Sequence, residues 1–331
     1  MNKNIDSEER NWLYSKLSKI PAAGIVFDLS AGMFFSFELT LVKILGDINP
    51  FELFTIRCGV LAVNCLAAIL WNKQSFLVPK EEIKFLIPRC ILGYVSVATL
   101  FFSLRMIALG DAVALSFTSP IFTLILVRIF LGEPFGLFQI FVIIASICGT
   151  ILISRPTILF PSDNISSSDS QRLIESLLAI CCAFTIASSF MVMRKLLRTP
   201  SSVATFWFAV SVVVFGMIYM GITRDFVVPK DSLSYILLLL IGIFATFAQL
   251  FLAMSLKLEQ ASVVAVAYTI DIVFAYIFQG SLINEKLNLL SLIGALIICL
   301  NIVVSAVRKL IVEKPLLLKK VSKSKINSYE V

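Results

Sequence analysis

The sequence predicts an all-α integral membrane protein with ten transmembrane helices, arranged as two five-helix repeats of inverted orientation. Hydrophobic residues make up 59% of the 331 residues and charged residues only 15%, whereas a soluble domain is about half apolar and one quarter charged. Ten apolar runs each have about the length of 20 residues that crosses a hydrocarbon core. The second half of the chain also repeats residues of the first at a nearly constant offset.

The ten apolar runs follow one another with short connections that contain polar residues or proline. An even number of spans places both termini on one side of the membrane, and the basic C-terminal end favours the cytoplasmic side. The predicted spans, numbered span 1 to span 10, cover residues 22–45, 52–71, 84–104, 112–132, 136–154, 173–193, 203–221, 234–255, 262–283 and 288–307.

The segments outside the spans are polar. Residues 1–20 form an N-terminal tail of mixed charge, and residues 309–331 form a basic tail; both are expected to be cytoplasmic. Residues 157–171 form a polar loop on the opposite side, which contains the only N-x-S/T sequon of the chain, at Asn164. This residue is therefore a candidate for glycosylation. The plasma membrane and an internal membrane both stay open, because the tail has no KDEL-type signal.

The internal repeat divides the spans into two units, residues 21–156 and 172–308. Because each unit has an odd number of spans, the second must enter the membrane with the opposite orientation. Inverted repeats are typical of secondary transporters, whose binding sites lie at the repeat interface near the midplane. At an offset of 149 residues the matched pairs include Gly93 with Gly242, Phe102 with Phe251 and Ala112 with Ala261.

Several chemical classes are excluded by composition. The chain has no histidine, so catalytic systems that use histidine and zinc sites ligated by histidine cannot form. The seven cysteines lie within or beside apolar runs and form no CxxC pair, which favours packing over disulfides or metal binding. We therefore expect no enzyme, no cofactor and no metal site. Nucleic-acid binding is not expected either, because no folded basic domain accompanies the tail.

Span 9 carries the clearest candidate pathway residues. Asp271 lies mid-way along this span, too deep for its short side chain to reach the interface, and ionisable groups at that depth mark functional sites. At 100° per residue, Tyr268, Asp271 and Gln279 share one helix face. Such a polar face indicates either a substrate or ion pathway, or a static hydrogen bond to a neighbouring helix.

Span 4 carries a second polar face, formed by Ser116, Ser119 and Thr123. Pro120 lacks an N–H, so we expect it to break the helix and free the carbonyl of Ser116. That carbonyl could bind a polar substrate, or be satisfied by a neighbouring hydroxyl or water; a purely structural kink is the alternative. In the repeat register Ser119 corresponds to Tyr268, so the two polar faces are expected to meet.

Spans 1, 2 and 8 add further candidates. Glu38 is deep in span 1, whereas Asp28 is near its cytoplasmic end and is interpreted as an interfacial residue. Arg57 lies near the outer end of span 2, where it could pair with Glu38, attract an anionic substrate or snorkel to the interface. Gln249 shares a face of span 8 with Thr246, and we expect both to line a cavity.

The stretch from Arg89 to Glu133, RCILGYVSVATLFFSLRMIALGDAVALSFTSPIFTLILVRIFLGE, resembles the EamA repeat of the drug/metabolite transporter superfamily. The residues that carry the resemblance are Gly93, the ALGDA turn at 108–112, SPIF at 119–122 and FLGE at 130–133.

The second unit resembles the same repeat more weakly, with LEQA at 258–261 and with Thr269 and Asp271 where a proline is usual. The segment YTIDIVFAYIFQ at 268–279 is most similar to the G subfamily of solute carrier family 35. The resemblance covers residues 21–308.

The resemblance implies a transporter that works by alternating access, with a central cavity lined by spans 1, 3, 4, 6, 8 and 9. It points towards organic anions such as carboxylates, although the superfamily carries many solute classes. Arg57 matches an arginine frequent early in the second span of the EamA pattern, and Glu133 and Glu285 match the acid that closes it. The expected partners are a small-molecule solute and membrane lipid, with a homodimer left open. The alternative is a non-transporting membrane protein that regulates a channel or sorting complex through its basic tail.

Overall fold

The computed structural model describes residues 23–45, 50–106, 118–132, 136–154, 169–223, 231–282 and 289–327, and within these ranges the chain is helical and has no strand. The helices are α1 (Ala23–Leu45), α2 (Pro50–Trp71), α3 (Lys80–Met106), α4 (Ser119–Leu131), α5 (Leu137–Ser154), α6 (Asp169–Lys195), α7 (Ser201–Thr223), α8 (Ser232–Leu258), α9 (Ala261–Ala267), α10 (Ile270–Leu282) and α11 (Leu289–Asn327).

These helices follow the predicted spans in order: α1 to α8 correspond to spans 1 to 8, α9 and α10 share span 9, and α11 begins with span 10. Among the described residues, six segments are long and apolar enough to cross a membrane, and α4 and α5 are shorter apolar helices. The protein is therefore a multi-pass integral membrane protein, while the count of ten spans stays a prediction. The six segments are Ala23–Val42, Phe51–Trp71, Ser201–Thr223, Ser232–Leu258, Ala261–Phe278 and Leu289–Arg308.

Span 9 is interrupted: it consists of α9 and α10 with a tight turn between them, and Ala261–Phe278 together is apolar and long enough to cross a membrane. Between α9 and α10 the N–H of Thr269 donates to the carbonyl of Val266 at 3.1 Å, and the N–H of Asp271 donates to the carbonyl of Tyr268 at 3.2 Å. These bonds reach back three residues instead of four, which tightens the backbone into a 3₁₀-like turn. The hydroxyl of Thr269 also donates to the carbonyl of Val266, at 2.7 Å, and so competes for the helical acceptor.

The helix packing has a two-fold pattern. Helix α1 packs against α8 and α10, and correspondingly α6 packs against α3 and α4. Helix α2 packs against α8 just as α7 packs against α3, while α2–α7, α4–α9 and α5–α11 pair each helix with its own counterpart. Exchanging the first five spans for the last five turns each of the other pairs into another member of the set and leaves these three pairs unchanged. This is the pattern expected for two repeats related by a pseudo-two-fold axis.

Two matched glycines carry equivalent close contacts in this arrangement. A Cβ atom on Gly93 of α3 would lie 2.9 Å from Cδ2 of Phe208 in α7. A Cβ atom on Gly242 of α8 would lie 2.5 Å from Cγ1 of Val60 in α2. Real Cβ atoms do not approach other heavy atoms so closely, and small residues are what lets helix backbones approach in membranes. The repeated glycine therefore allows the α3–α7 and the α8–α2 contacts alike.

Candidate substrate pathway

Glu38 of α1 and Arg57 of α2 form a buried ion pair. Their exposed fractions are 5% and 6%. Nη2 of Arg57 donates to Oε2 of Glu38 at 3.0 Å, and Nε of Arg57 contacts Oε1 of Glu38, so the pair is bidentate. The guanidinium also lies over the ring of Phe54, 5.3 Å from its centroid. Of the alternatives for Arg57, the structure has the ion pair with Glu38. Because Arg57 is buried inside the protein, its side chain does not snorkel to an interface.

Asp271 lies in the first turn of α10, against α1. Its exposed fraction is 4%. The hydroxyl of Ser36 donates to the backbone carbonyl of Asp271 at 2.8 Å, and Gly32 is so close that a Cβ atom there would overlap the Asp271 carboxyl. Oδ1 of Asp271 has no hydrogen-bond partner among the described residues. The interhelical hydrogen bond therefore uses the Asp271 backbone, which leaves one oxygen of its carboxyl without a partner.

Asp28 is buried, and the interpretation that it lies at an interface is wrong. Its exposed fraction is 1%, and neither of its carboxyl oxygens has a partner within the part of the chain that the structure describes. Asp28 is close enough to Asp271 for their charges to interact. Asp271 is likewise close enough to Glu38 for their charges to interact. Because Asp28, Gly32 and Ser36 are spaced by four residues, they share the face of α1 that meets α10. That spacing was the sequence signal for Asp28.

Tyr268 fills the space between three helices at the interruption of span 9. Its ring makes an edge contact with Phe190 of α6, at 5.3 Å between centroids and 90° between planes. A second edge contact, at 6.4 Å and 83°, joins it to Phe35 of α1. Edge-to-face contacts of this kind are favourable between aromatic rings. The interruption before Asp271 is thus packed against helices of both repeats.

Helix α4 begins at the predicted polar face of span 4. Ser119 and Thr123 are buried, and the Thr123 hydroxyl donates to the carbonyl of Ser119 at 2.9 Å. The Ser119 hydroxyl has no partner among the described residues. Pro120 lies in the first turn of α4, where a missing N–H costs little. The preceding part of span 4 lies outside the described residues, so the break at Pro120 stays a prediction. Helix α4 packs against α9, whose last residue, Ala267, directly precedes Tyr268.

Other predicted residues are placed differently or are not described. Nδ2 of Asn64 donates to Oγ1 of Thr246 at 3.0 Å, so Thr246 serves the α2–α8 contact rather than lining a cavity. Gln249 is partly buried on α8. Outside the described part of the chain lie Ser116 with its carbonyl, the side chain of Gln279, the sequon at Asn164, and both motif-closing acids, Glu133 and Glu285.

A second buried arginine, Arg89 of α3, was not among the sequence candidates. Its exposed fraction is 7%. Nη1 of Arg89 donates to the hydroxyl of Ser189 in α6 at 2.8 Å, and the guanidinium lies over the ring of Phe208 in α7, 4.5 Å from the centroid. The signal in the sequence was an arginine inside predicted span 3, because ionisable residues within membrane spans mark functional sites.

A polar network joins four helix ends, where α3 and α7 begin and α6 and α8 end. The carboxyl of Glu82, 5% exposed, accepts the N–H of Arg198 and the N–H of Thr199, both at 2.8 Å, and the hydroxyl of Thr199 at 2.5 Å. Nζ of Lys257 donates to the carbonyl of Thr199, and Nη1 of Arg194 donates to the carbonyl of Lys257 at 2.8 Å. We call this set of five residues the Glu82 latch.

No metal or cofactor site emerges from the described residues. Within them, no group of three or more histidine, cysteine, aspartate or glutamate side chains is arranged to hold a metal ion. What the described residues do bring together is three buried carboxyls, those of Asp28, Glu38 and Asp271, beside one paired arginine. Such groups can hold a proton or a charged solute inside a membrane protein.

Comparisons with known proteins show the family and a likeness of fold. The model of the EamA-like transporter family matches residues 22–155 and 173–307. The chain is 30% identical over 297 residues to Solute carrier family 35 member G1 of Homo sapiens, covering 89% of this chain and 81% of that protein. It is 25% identical over 254 residues to the Pseudopaline exporter CntI of Pseudomonas aeruginosa, covering 76% of this chain and 84% of the exporter. A solved crystal structure superposes with a TM-score of 0.72 at 15% identity, covering 87% of this chain and 96% of the other, which is a likeness of fold.

Proposed function

Because the chain belongs to the EamA-like transporter family, we propose that it is a secondary transporter that moves a small polar metabolite, an organic anion such as a carboxylate, by alternating access. The observation that carries this proposal is the set of buried charged groups between helices of different repeats. Asp28 and Glu38 belong to α1 in the first repeat and Asp271 to α10 in the second. Sites of secondary transporters lie at such repeat interfaces.

The proposed orientation follows from the predicted topology. Ten spans cross the membrane as two five-helix repeats of opposite orientation, with both termini in the cytoplasm and the loop that contains Asn164 on the other side. The Glu82 latch then lies at the cytoplasmic end of the bundle, because α3 begins there and α6 ends there. Hydrogen bonds from Arg198 and Thr199 to the Glu82 carboxyl support a closed conformation at this end.

Alternating access requires the helices of the two repeats to move relative to each other. The interruption between α9 and α10 provides a hinge, since backbone with 3₁₀ geometry inside a long helix deforms more easily than a regular helix. Opening to the cytoplasm separates the chain around Thr199 from Glu82. A charged solute bound beside the buried carboxyls and arginines would then be exposed to the cytoplasm.

Counterflow into proteoliposomes tests this function. The purified full-length protein is reconstituted, the vesicles are loaded with one unlabelled solute at a time, and the uptake of the same labelled solute is measured across carboxylates, phosphate, amino acids and neutral metabolites. We expect counterflow of at least one organic anion. Absence of counterflow for every solute in the panel would contradict the proposal.

A second candidate function is favoured by one observation: α11 continues as a helix past the predicted span, as far as Asn327. A helical basic tail is able to bind an acidic protein surface or anionic lipid. The chain would then be a non-transporting membrane protein that regulates a channel or sorting complex through residues 309–331. Removal of that tail separates the two functions.

A further inference from the structure

We propose that Arg89 is the residue that binds the carboxylate group of the transported solute. This assignment rests on the proposed transport function and goes beyond it by naming the binding group and the chemical class that it selects. Among the basic residues whose side chains the structure describes, Arg89 and Arg57 are the two that are buried. The two differ in whether their charge is neutralised.

The charge of Arg57 is neutralised and that of Arg89 is not. Glu38 forms a bidentate pair with Arg57. The contacts of Arg89 are the hydroxyl of Ser189 and the ring of Phe208, and no carboxyl group in the described ranges forms an ion pair with it. A buried cation without a counter-ion is costly in a membrane protein. An anionic solute would supply the missing charge.

The guanidinium of Arg89 keeps donors available for that solute. An arginine has five N–H donors in a planar fork that matches both oxygens of a carboxylate, and the bond to Ser189 occupies one of them. The side chain is also held in place. Phe208 lies on its face at 4.5 Å, and a Cβ atom on Gly93 would come within 2.7 Å of Nη1. A positioned fork with free donors is what recognition of a carboxylate requires.

Arg89 lies close to the buried groups of the candidate pathway, and it lies deeper in the bundle than the Glu82 latch. Cys58 of α2 is within electrostatic range of both Arg57 and Arg89, and Ser189 is followed by Phe190, whose ring packs on Tyr268. Arg89 follows Glu82 by seven residues on α3, about two helical turns or 10 Å further into the bundle on nearly the same face. Opening of the latch would therefore expose it.

The repeat argues against a purely structural role for this arginine. In the register that matches Gly93 with Gly242, Arg89 corresponds to Leu238, an apolar residue of α8 that is 4% exposed. The second repeat thus builds the equivalent helix packing with a leucine at this position. The positive charge belongs to one copy only, as expected for a group that serves the solute and not the shared fold.

The test compares each carboxylate with its neutral or less charged amide. Counterflow is measured in proteoliposomes for lactate, succinate and 2-oxoglutarate and for their amides, with choline as a cationic probe. For the carboxylate that wild-type protein carries, Arg89→Gln is expected to raise KM by about 10- to 100-fold, the effect of losing charge-assisted hydrogen bonds. The KM of the amide is expected to change much less, so selectivity for the carboxylate is lost.

Matched variants separate solute binding from packing. Ser189→Ala removes the neutral partner but keeps the charge, and is expected to retain the selectivity of the wild type. Arg89→Lys keeps the charge without the fork, and its selectivity should be intermediate; it serves as the test if Arg89→Gln does not reach the membrane.

Three results would overturn the inference while transport stands. The first is an unchanged KM for the carboxylate in Arg89→Gln, and the second is an equal rise of KM for the carboxylate and for its amide. The third is that the wild-type protein shows counterflow of choline or of amides but of no carboxylate. Absence of all counterflow by wild-type protein would instead overturn the proposed function, and the inference with it.

Discussion

Asp28 and Asp271 place two carboxyl groups inside an apolar bundle where they have too few hydrogen-bond partners. Both oxygens of Asp28 and Oδ1 of Asp271 have none among the described residues. A carboxylate that is buried without donors is unfavourable, so such a group is normally protonated or meets a cation or a polar solute. Since the chain has no histidine, any coupling to protons must use carboxyls such as these.

The first prediction concerns Asp271. Asp271→Asn keeps the size of the side chain but removes the proton that can be exchanged, so transport driven by a pH gradient should fall at least to about a tenth of that of the wild type. Surface expression should be retained, because Ser36 bonds to the Asp271 backbone and not to its carboxyl. Uptake into proteoliposomes with and without a pH gradient measures the effect.

Asp231→Asn is the matched control for that variant, because Asp231 is an exposed aspartate just before α8. It should transport like the wild type. If Asp271→Asn also transported normally, with the same response to the pH gradient, Asp271 would be removed from the pathway.

The second prediction concerns the pair formed by Glu38 and Arg57. Removal of one partner leaves the other charge buried, which costs about 3–5 kcal/mol, so Arg57→Ala alone should lower thermal stability in detergent strongly. The double variant Glu38→Gln with Arg57→Gln should recover much of that stability, since no unpaired charge remains. Thermal unfolding of the three purified proteins measures this, and equal loss in the single and double variants would show that the pair is not the cause.

Depth in a span predicted burial for Glu38 and Asp271, and both side chains are buried. Pairing with Glu38 was one of three alternatives for Arg57 near the outer end of span 2, and the structure has that pair. A role of these residues in transport stays a prediction. Sequence reasoning misplaced Asp28 because position near a span end predicts exposure only when the side chain points away from other helices. The neighbours that bury Asp28 belong to α10, which follows more than 200 residues later. Such a contact cannot be predicted from local sequence.

At the scale of elements, α1 meets the start of α10 through a face of small residues, and the third prediction tests that contact. A Cβ atom on Gly32 would overlap the carboxyl of Asp271 and lie 2.7 Å from Cγ2 of Ile270. Gly32→Ala should therefore push the two helices apart, lower thermal stability by about 1–3 kcal/mol and abolish most transport. Thermal unfolding and counterflow measure the two effects.

The chain offers a close control in Gly59 of α2, where an added Cβ would meet no heavy atom within 4 Å. Gly59→Ala should be neutral or slightly stabilising, because alanine favours a helix over glycine. Equal behaviour of the two alanine variants would contradict the proposed contact.

The Glu82 latch leads to the fourth prediction. Glu82→Gln replaces a carboxylate that accepts two backbone N–H groups and one hydroxyl by a neutral amide with a single acceptor oxygen. The end of the bundle that contains the latch should then open more often. Alkylation of the interior Cys58 and Cys90 by a water-soluble maleimide in opened vesicles should become several-fold faster, as quantified by peptide mass spectrometry.

Glu81→Gln is the control for the latch, since Glu81 is adjacent in sequence and its pair with Arg198 is exposed, with side-chain exposures of 75% and 70%. Exposed ion pairs contribute little, so its labelling rate should match that of the wild type. Identical rates in all three proteins would show that Glu82 does not hold this end closed.

The helices themselves followed from apolar runs, but the interruption of span 9 did not. Tyr268 and Thr269 are more polar than the alanine, valine and isoleucine residues around them, but both residue types are compatible with a helix. The interruption depends on the hydroxyl of Thr269, which bonds to the carbonyl of Val266, and on packing of Tyr268 against α1 and α6. Both are properties of the folded state, which a count of apolar residues does not register.

For the whole molecule, the repeat in the sequence carried more structural information than any single motif. The match of Gly93 with Gly242 anticipated two equivalent helix contacts, and the symmetric pairs of helices follow the same exchange. The sequence repeat does not constrain where the two copies differ. Arg89 and Leu238 occupy equivalent positions in the two copies, and the proposed carboxylate site depends on that difference in charge.

The basic tail supplies the fifth prediction, which separates a transporter from a membrane-bound regulator. In a transporter of this architecture the solute passes between the two repeats, which end near residue 307, so deletion of residues 309–331 should leave kcat and KM within about two-fold of the wild type in proteoliposomes. In anionic vesicles the same deletion should weaken binding and orientation, because basic residues beside a membrane are attracted by negative lipid headgroups. Replacement of the tail by a Gly/Ser-rich segment of equal length controls for length alone. A regulator predicts the opposite: loss of the effect on its partner with either altered tail, and no counterflow by any form of the protein.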